Sequence, residues 1–554
     1  MSKSTTDSYS AFDESGLKKT IADTISHIKK LYLSDQVPWV VGYSGGKDST
    51  AVLQLVWYAL LELKKENKCK KDVHVISTDT LVENPIVAMW VEKSLERMHE
   101  AKEEQGLPIH PHRLTPAIKD RFWVNLIGKG YPAPRYKFRW CTDRLKIAPS
   151  NTFINNLVDK RGEAILVLGT RKSESTARAS TMEHYENTHT NTRREDGLTA
   201  NGTLDRVWVF PPIAKWTNDD VWIYLNSVSN PWNFPNQDLM GMYQGATEGG
   251  ECPLVIDKST QSCGDSRFGC YVCTMVSEDK SMSAMIANDE EKEWMNPLLS
   301  LRNEIDINDS DYGKKIDKLR RDKSRRDFRR MNGSLTVHIS KNGADIVPGP
   351  YIQRVRESLL EKVLNAQVAV QKMGPKEVHN LELLPLEELE EIRRMWLEEK
   401  LEAEDNLPII YERVMNRPYP GTRRAHHPVL NRKVLDKLKE FCTENGDDEG
   451  LMYQQMRTVM AISNKYKSQL RRANLATELN EYLEKGAFSS MNEAKIFALE
   501  RKKIELEITR DNSPNLSEKE KESISQQIAI ISRSLKEKGY SSLLIETETI
   551  NDDF

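Results

Sequence analysis

The sequence predicts an α/β fold: a Rossmann-like parallel sheet with helices on both faces, followed by a mainly α-helical C-terminal region. Three observations carry this. Up to about residue 290 short β-branched runs alternate with helical patterns, as crossover-connected parallel strands do. Beyond it, long charge-rich stripes at helical spacing dominate and strand signals are few. The chain of 554 residues is long enough for two to four domains at roughly 100 to 200 residues each.

In chain order, Ile21, Ile25, Ile28 and Leu31 or Leu33 fall on one stripe and predict a leading helix over residues 12–34. Strands are expected at WVVGY from Trp39, VHVIS from Val73, ILVLG from Ile165 and VWVFP from Val207, with helices from Ser49, Pro85 and Thr217. The polar, turn-rich stretch between Glu183 and Asp205 reads as an inserted surface loop. The LEELEEIRRMWLEEKLEAE stretch from Leu386 and those around 452–508 read as solvated faces of an α-helical domain. Three parts are expected: an N-terminal helix (1–36), a nucleotide domain with a cysteine segment (37–290) and a helical domain (291–554).

Apolar residues make up 38% and charged residues 29%, with a formal net charge of -3, so neither a disordered chain nor a generally basic nucleic-acid binder is indicated. Any nucleic-acid contact must be local. The first residues lack the apolar core of a signal peptide, and no run approaches the roughly 18 apolar residues of a membrane span. A cytoplasmic protein is expected, in which seven cysteines suit metal, cluster or redox use better than disulfides.

The chemistry starts at Ser44, where SGGKDS joins the first strand to its helix. Backbone N–H groups and a helix N-terminus can surround an anion there, and Gly45 and Gly46 let the backbone approach it. The loop is not of Walker type: Val41 stands where its first glycine should be, and Asp48 follows Lys47 where a hydroxyl is required. Asp79 lies past another strand end, where open α/β sheets place ligands. Gly169, Arg171, Glu174, Ser175 and Arg178 follow a third, where guanidinium forks suit phosphate oxygens and surface salt bridging is the plainer alternative.

Cys252, Cys263, Cys270 and Cys273 fall within 22 residues at C-x10-C-x6-C-x2-C spacing. Only one CxxC pair is present, so the spacing leaves zinc and iron–sulfur both open. Cys141 in RWCTDRLK lies beside Arg139, Arg144 and Lys146, whose positive field would favour a reactive thiolate; an inert thiol in a substrate loop is the alternative. Residues 314–330 carry ten basic and three acidic side chains, Arg325 and Arg326 among them. Such a stripe can neutralise DNA phosphates, or form a linker helix or a dock for an acidic partner. Arg135, Lys137, Arg139, Arg144 and Lys146 form a second basic set near Cys141, suited to backbone contacts.

The SGGKDS loop after a buried strand resembles the pyrophosphate loop of the adenine nucleotide α-hydrolases, which implies cleavage of ATP between its α and β phosphates. Within that superfamily DTLVENP from Asp79, GTRKSESTAR from Gly169 and PPIAKWTNDDVW from Pro211 make the first 290 residues similar to the phosphoadenylyl-sulfate reductases. With the four-cysteine segment, PGPYIQRVRESLLEKVL from Pro348 and the helical C-terminal region, the whole chain resembles the DNA phosphorothioation sulfurtransferases of DndC type. That resemblance implies a [4Fe-4S] cluster on Cys252, Cys263, Cys270 and Cys273, and ATP bound by Ser44, Gly45, Gly46, Lys47, Asp48 and Ser49 together with Asp79 and the Gly169–Arg178 segment. It further implies Mg2+ held with help from Asp48, DNA as substrate, a cysteine desulfurase as sulfur donor, and companion subunits of a DNA-modification complex. Lys47, Asp48 and Cys141 are the expected catalytic residues. The competing readings are a small-molecule adenylyl-sulfate-type reductase, a tRNA thiolation enzyme and an ATP-binding scaffold subunit.

Overall fold

The computed structural model describes the chain except for residues 1–9, 136–137, 188–192, 248–267, 307–324, 401, 403, 423–431, 467–471, 514–515 and 538–554. The first compact unit, residues 1–122, 133–306 and 365–384, is built on the alternation read from the sequence. Its elements run α1 (Leu17–Ser34), β1 (Trp39–Gly42), α2 (Lys47–Lys65), β2 (Val73–Thr78), α3 (Pro85–Gln105), β3 (Ile109–Leu114), α4 (Ala148–Arg161), β4 (Ala164–Val167), α5 (Thr176–Asn187), β5 (Thr199–Ala200), β6 (Val207–Phe210), α6 (Asn218–Ser227), α7 (Asn236–Gly245), α8 (Lys280–Asn288) and α9 (Asn296–Ile305). The six strands form one sheet in the order β3-β2-β1-β4-β6-β5, parallel except for β5. The chain therefore builds outward from β1 in one direction and then returns to add β4 on β1's other side. This reversal opens a crevice at the carboxyl ends of β1 and β4, where ligands of open α/β sheets bind.

The core explains why β1 and α2 are fixed so firmly. Trp39, Val40 and Val41 of β1 are fully buried, and α2 buries thirteen residues, among them Leu53, Leu55, Val56 and Trp57. Each fully buried aliphatic or aromatic side chain contributes roughly 1.5–3 kcal/mol relative to exposure. α1 belongs to the same core through Ile28, Leu31 and Tyr32. α6 is held by a capping box, in which Thr217 Oγ1 accepts from the Asp220 N–H at 3.1 Å and Asp220 accepts from the Thr217 N–H at 2.8 Å.

The second unit comprises residues 123–132, 307–364 and 385–554. Its described residues are mainly helical, with helices over Leu386–Arg394, Asn406–Met415, Arg432–Glu444, Leu451–Lys465, Leu475–Gly486, Met491–Asn512 and Glu518–Glu537. The exception is a hairpin of β7 (Val337–Ser340) and β8 (Gly343–Ile346), whose Ala344 packs with Leu499, Leu506 and Ile531 of the last two helices. The hairpin turns at Lys341 and Asn342, between the paired Ser340 and Gly343.

Two expectations change in the first unit. The stretch expected as a surface loop over 183–205 finishes α5 and then supplies β5, which pairs antiparallel with β6 while Leu198 is buried. An unexpected strand, β3, pairs in register with β2, and its Pro111 is accommodated because β3 is the sheet edge. That pairing collects three histidines. His74 Nδ1 lies 3.1 Å from His112 Nε2, and His110 Nε2 lies 3.1 Å from Asp72 Oδ1 with Arg161 on the same carboxylate. Burial first, then the neighbouring His112 and His110, push the His74 pKa down to about 4.

A histidine depressed below its unfolded value of about 6.5 binds fewer protons folded than unfolded, so its contribution is present above that pH and is lost as pH falls towards 4. Urea midpoints measured at pH 7 and pH 4.5 are expected to fall less with pH in His74→Asn than in the parent chain. An equal fall in both would contradict this.

Candidate active site

The SGGKDS loop sits in the crevice. Gly45 adopts φ +74°, and a Cβ there would lie 2.4 Å from Val91 Cγ2, so both conformation and space demand glycine. Trp90 Nε1 donates to the Gly45 carbonyl at 3.1 Å and pins the turn from α3. Ser49 and Thr50 hydroxyls each donate to the Gly46 carbonyl at 2.9 Å, and Ser49 Oγ accepts from the Ser44 N–H at 3.2 Å. α2 starts at Lys47, with Gly46 as its N-cap, so the N–H groups of its first turn face the crevice.

A cavity of about 1140 Å³ opens here. Ser44, Gly45, Gly46, Lys47, Asp48, Ser49, Asp79, Gly169, Arg171, Glu174 and Arg178 all line it. Ser175 does not; its hydroxyl accepts from the Arg178 N–H at 3.2 Å. The Lys47 side chain is buried, its Nζ 3.7 Å from Asp48 Oδ2 and 5.4 Å from the centre of the Tyr243 ring.

The arginines differ from expectation. Arg171 is buried, donates through Nε to Asp48 Oδ1 at 2.8 Å and through Nη1 to Ser173 Oγ at 3.0 Å, and so aims Asp48 instead of offering a fork to phosphate. Arg178 pairs with Glu174 one helical turn away. The sequence reading missed Arg113, at the end of the unexpected strand β3. Its Nε donates to Asp79 Oδ2 at 3.1 Å and its Nη1 to Glu92 at 3.0 Å, at the cavity wall.

The cysteine segment reaches this cavity. Gly269 and Tyr271 pair with residues 82–84, with the Asn84 N–H donating to the Gly269 carbonyl and the Tyr271 N–H to that of Val82. Cys270 therefore lies against Glu83, its thiol 3.9 Å from Glu83 Oε1 and 3.4 Å from Thr80 Oγ1. Lys146 Nζ stands 3.5 Å from the same Glu83 oxygen, and both Glu83 and Lys146 line the cavity. Burial opposes the charge on Lys146, but Glu83 and Cys270 outweigh it and raise its pKa. Cys141 is close enough to Cys273 and Lys146 to interact with both. Sequence alone did not place Glu83 here, nor did it bring Cys141 near Cys273.

Burial pushes the Cys270 thiol up to about 12, with Glu83 adding to the rise. Burial also raises Cys141, with Cys273 second, which corrects the expectation of a thiolate favoured by neighbouring arginines. Arg144 is turned away to Asp120 at 2.8 Å. The CxxC turn is closed by the Cys273 N–H on the Cys270 carbonyl at 3.0 Å. Desolvated sulfurs in such a turn suit a metal or cluster, whose positive charge would stabilise the thiolates that burial disfavours. Cys252 and Cys263 lie outside the described residues, and among the described residues no three His, Cys, Asp or Glu side chains form a metal site.

Residues 38–234 match the phosphoadenosine phosphosulfate reductase domain. This part of the chain is similar to that domain. The loop, the Asp79 segment and the Gly169 segment all lie inside the matched range. An uncharacterized protein of Methanocaldococcus jannaschii is 28% identical over 211 residues, 38% of this chain and 36% of that protein's own length. Among solved structures, the U34-tRNA thiolase NcsA of Methanococcus maripaludis with its [4Fe-4S] cluster is similar at 16% identity and TM-score 0.26, covering 52% of this chain and 80% of that one. Candida glabrata FMN adenylyltransferase with FMN and an ATP analogue is similar at 12% identity and TM-score 0.23, covering 42% and 61%. Likeness this distant adds nothing to the match with the phosphoadenosine phosphosulfate reductase domain.

The remaining basic residues are dispersed. Arg139 is exposed on the segment leading to Cys141, Arg135 closes a turn with Phe138, and Lys137 lies outside the described residues. In the second unit Arg325 is partly buried, and Arg326 donates to the carbonyls of Gly349, at 2.6 Å, and Pro348. Residues 314–324 of the basic stripe lie outside the described residues.

Gly169 carries the join between β4 and α2, because a Cβ there would lie 2.8 Å from the Asp48 carbonyl carbon and oxygen. Gly169→Ala is expected to cost about 1–3 kcal/mol by overpacking, read as a lower urea midpoint, and to weaken nucleotide binding by displacing Asp48. Unchanged nucleotide affinity would sever the link between this contact and the loop.

Proposed function

We propose that this chain is an ATP-dependent sulfurtransferase that replaces a non-bridging oxygen of a DNA backbone phosphate with sulfur. One observation carries the reading: Glu83 and Lys146 line the nucleotide cavity and also interact with the cysteines, so the loop and the thiols share one site. A sulfate-reducing site needs no ATP-cleaving loop beside buried thiols, whereas sulfur insertion at phosphorus needs both activation and a sulfur source.

A phosphodiester oxygen is a poor leaving group and must first be activated. In the proposed sequence a non-bridging DNA oxygen attacks the α-phosphorus of ATP, the bond to the β-phosphate breaks and pyrophosphate leaves. A sulfur nucleophile then attacks the DNA phosphorus, and AMP departs with the original oxygen. Lys47 and the N–H groups at the start of α2 would stabilise charge as it develops on the leaving pyrophosphate. Asp48, aimed by Arg171, would help hold Mg2+. Lys146 would meet the anionic DNA phosphate at the mouth of the cysteine group. Cys252, Cys263, Cys270 and Cys273 would hold a [4Fe-4S] cluster, which when bound supplies thiolate-ligated iron beside the reacting phosphate. A cysteine desulfurase would deliver the sulfur to Cys141 as a persulfide whose outer sulfur attacks the DNA phosphorus; an external dithiol would then cleave the S–S bond, freeing the phosphorothioate and the Cys141 thiol while it is itself oxidised to a disulfide, and companion subunits of a modification complex would present the DNA.

Lys47→Ala is expected to lower pyrophosphate release by about 100- to 1,000-fold, the usual effect of losing one donor to developing charge. Mass spectrometry of nuclease-digested DNA from cells carrying Lys47→Ala or Cys273→Ser should show phosphorothioate dinucleotides lost in both. Undiminished dinucleotides would remove the mechanism, and sulfur found in tRNA in their place would return the thiolation alternative. Anaerobically purified protein should contain iron and acid-labile sulfide near four each; stoichiometric zinc without iron would remove the cluster.

A further inference from the structure

We propose that the Tyr243 hydroxyl is a catalytic hydrogen-bond donor to the pyrophosphate as it leaves ATP. The proposal rests on the ATP half of the reading above and adds a residue to it; the sulfur acceptor does not enter. Tyr243, on α7, lines the cavity, and the Lys47 N–H, the first of α2, donates to its hydroxyl at 3.4 Å. The same oxygen lies over Gly46, where a Cβ would stand 3.2 Å from it. The hydroxyl thus rests on the start of the helix, at the place where an anion drawn to the α2 N-terminus arrives.

Edge-on aromatic contacts hold the ring in place. Its centre lies 5.1 Å from that of Trp222, which is fully buried, and 4.7 Å from that of Phe268, two residues before Cys270. Tyr243 keeps only 7% of its surface exposed. A phenol at that depth ordinarily bonds its O–H to an acceptor. Here the oxygen accepts from Lys47, while its own hydrogen meets no acceptor among the described residues. Burial raises the phenol's pKa, so the proton stays on the oxygen.

A buried donor left open beside an anion-binding helix start is completed by the anion. From the Lys47 N–H to the hydroxyl to a phosphate oxygen runs a chain in which each bond polarises the next, and the α2 dipole strengthens the hydroxyl as a donor. Lys47 Nζ, 5.4 Å from the centre of the same ring, supplies the full charge next to it. As the bond from the α-phosphorus to the bridging oxygen breaks, its electron pair passes to pyrophosphate. Tyr243 keeps its proton, and its hydrogen bond tightens as that charge grows.

Tyr243→Phe removes the oxygen and keeps the ring. In the full-length chain it should lower kcat for pyrophosphate release by about 10- to 100-fold, the loss of one hydrogen bond to a charged group, with KM for ATP changed less than about twofold. Titration with magnesium pyrophosphate reads the same contact without DNA. Tyr243→Phe should bind it about 10-fold more weakly, and Tyr243→3-fluorotyrosine, a stronger donor of nearly the same size, more tightly than the parent. Should Tyr243→Phe fail to fold, as its urea midpoint would show, the fluorotyrosine comparison decides alone, and equal affinity there would overturn the role. Equal kcat and equal pyrophosphate affinity for Tyr243→Phe and the parent would also overturn it. So would a raised KM at unchanged kcat, which marks a contact made equally before and during bond breaking. Tyr243-dependent pyrophosphate binding by a chain that puts no sulfur into DNA would keep this role and remove the DNA reading instead.

Discussion

The contact between the end of β4 and the first turn of α2 governs everything else at the cavity beside the glycine loop. Gly169 allows the two backbones to touch, and Arg171, two residues on, closes the join by an ion pair with Asp48. Lys47 and Asp48 are thereby held at a helix N-terminus instead of on a loop free to move. Because β1 and β4 are neighbours only at the point where the strand order reverses, the contact exists nowhere else in the sheet. The loop supplies donors; this join fixes where they point.

A second constraint ties the cavity wall to the cysteine turn. The segment before Cys270 is drawn onto residues 82–84 by backbone hydrogen bonds, which sets the CxxC turn against Glu83 at the end of β2's loop. Arg302, fully buried on α9, donates to the carbonyls of Cys273 and Ser277, both at 3.0 Å, and to that of Val276. A buried guanidinium is tolerated only when its donors are satisfied, and here three peptide carbonyls and Asp306 satisfy them. The cysteine turn is thus held from the cavity side by residues 82–84 and from behind by Arg302.

The glycine loop and its setting were legible from local sequence because each signal is short-range: a β-branched run, two glycines, then an apolar helix start. β3 was less legible, since IHPHRL interrupts its alternation with a proline that only an edge strand tolerates. With β3 unread, Arg113 and the histidine group could not be placed. The β7–β8 hairpin, turning at Lys341 and Asn342 between two four-residue strands, was outweighed in the sequence by the helical texture around it.

By itself the sequence determined that a glycine loop follows a buried strand and that four cysteines cluster far downstream, since both depend on residues adjacent in the chain. Only the tertiary structure decided that Arg171 serves Asp48 across 123 residues and that Glu83 meets Cys270 across 187. Such pairings depend on the order in which strands add to the sheet, and so on which strand ends become neighbours. That order arises from long-range packing of whole elements, and no local pattern of residue types encodes it.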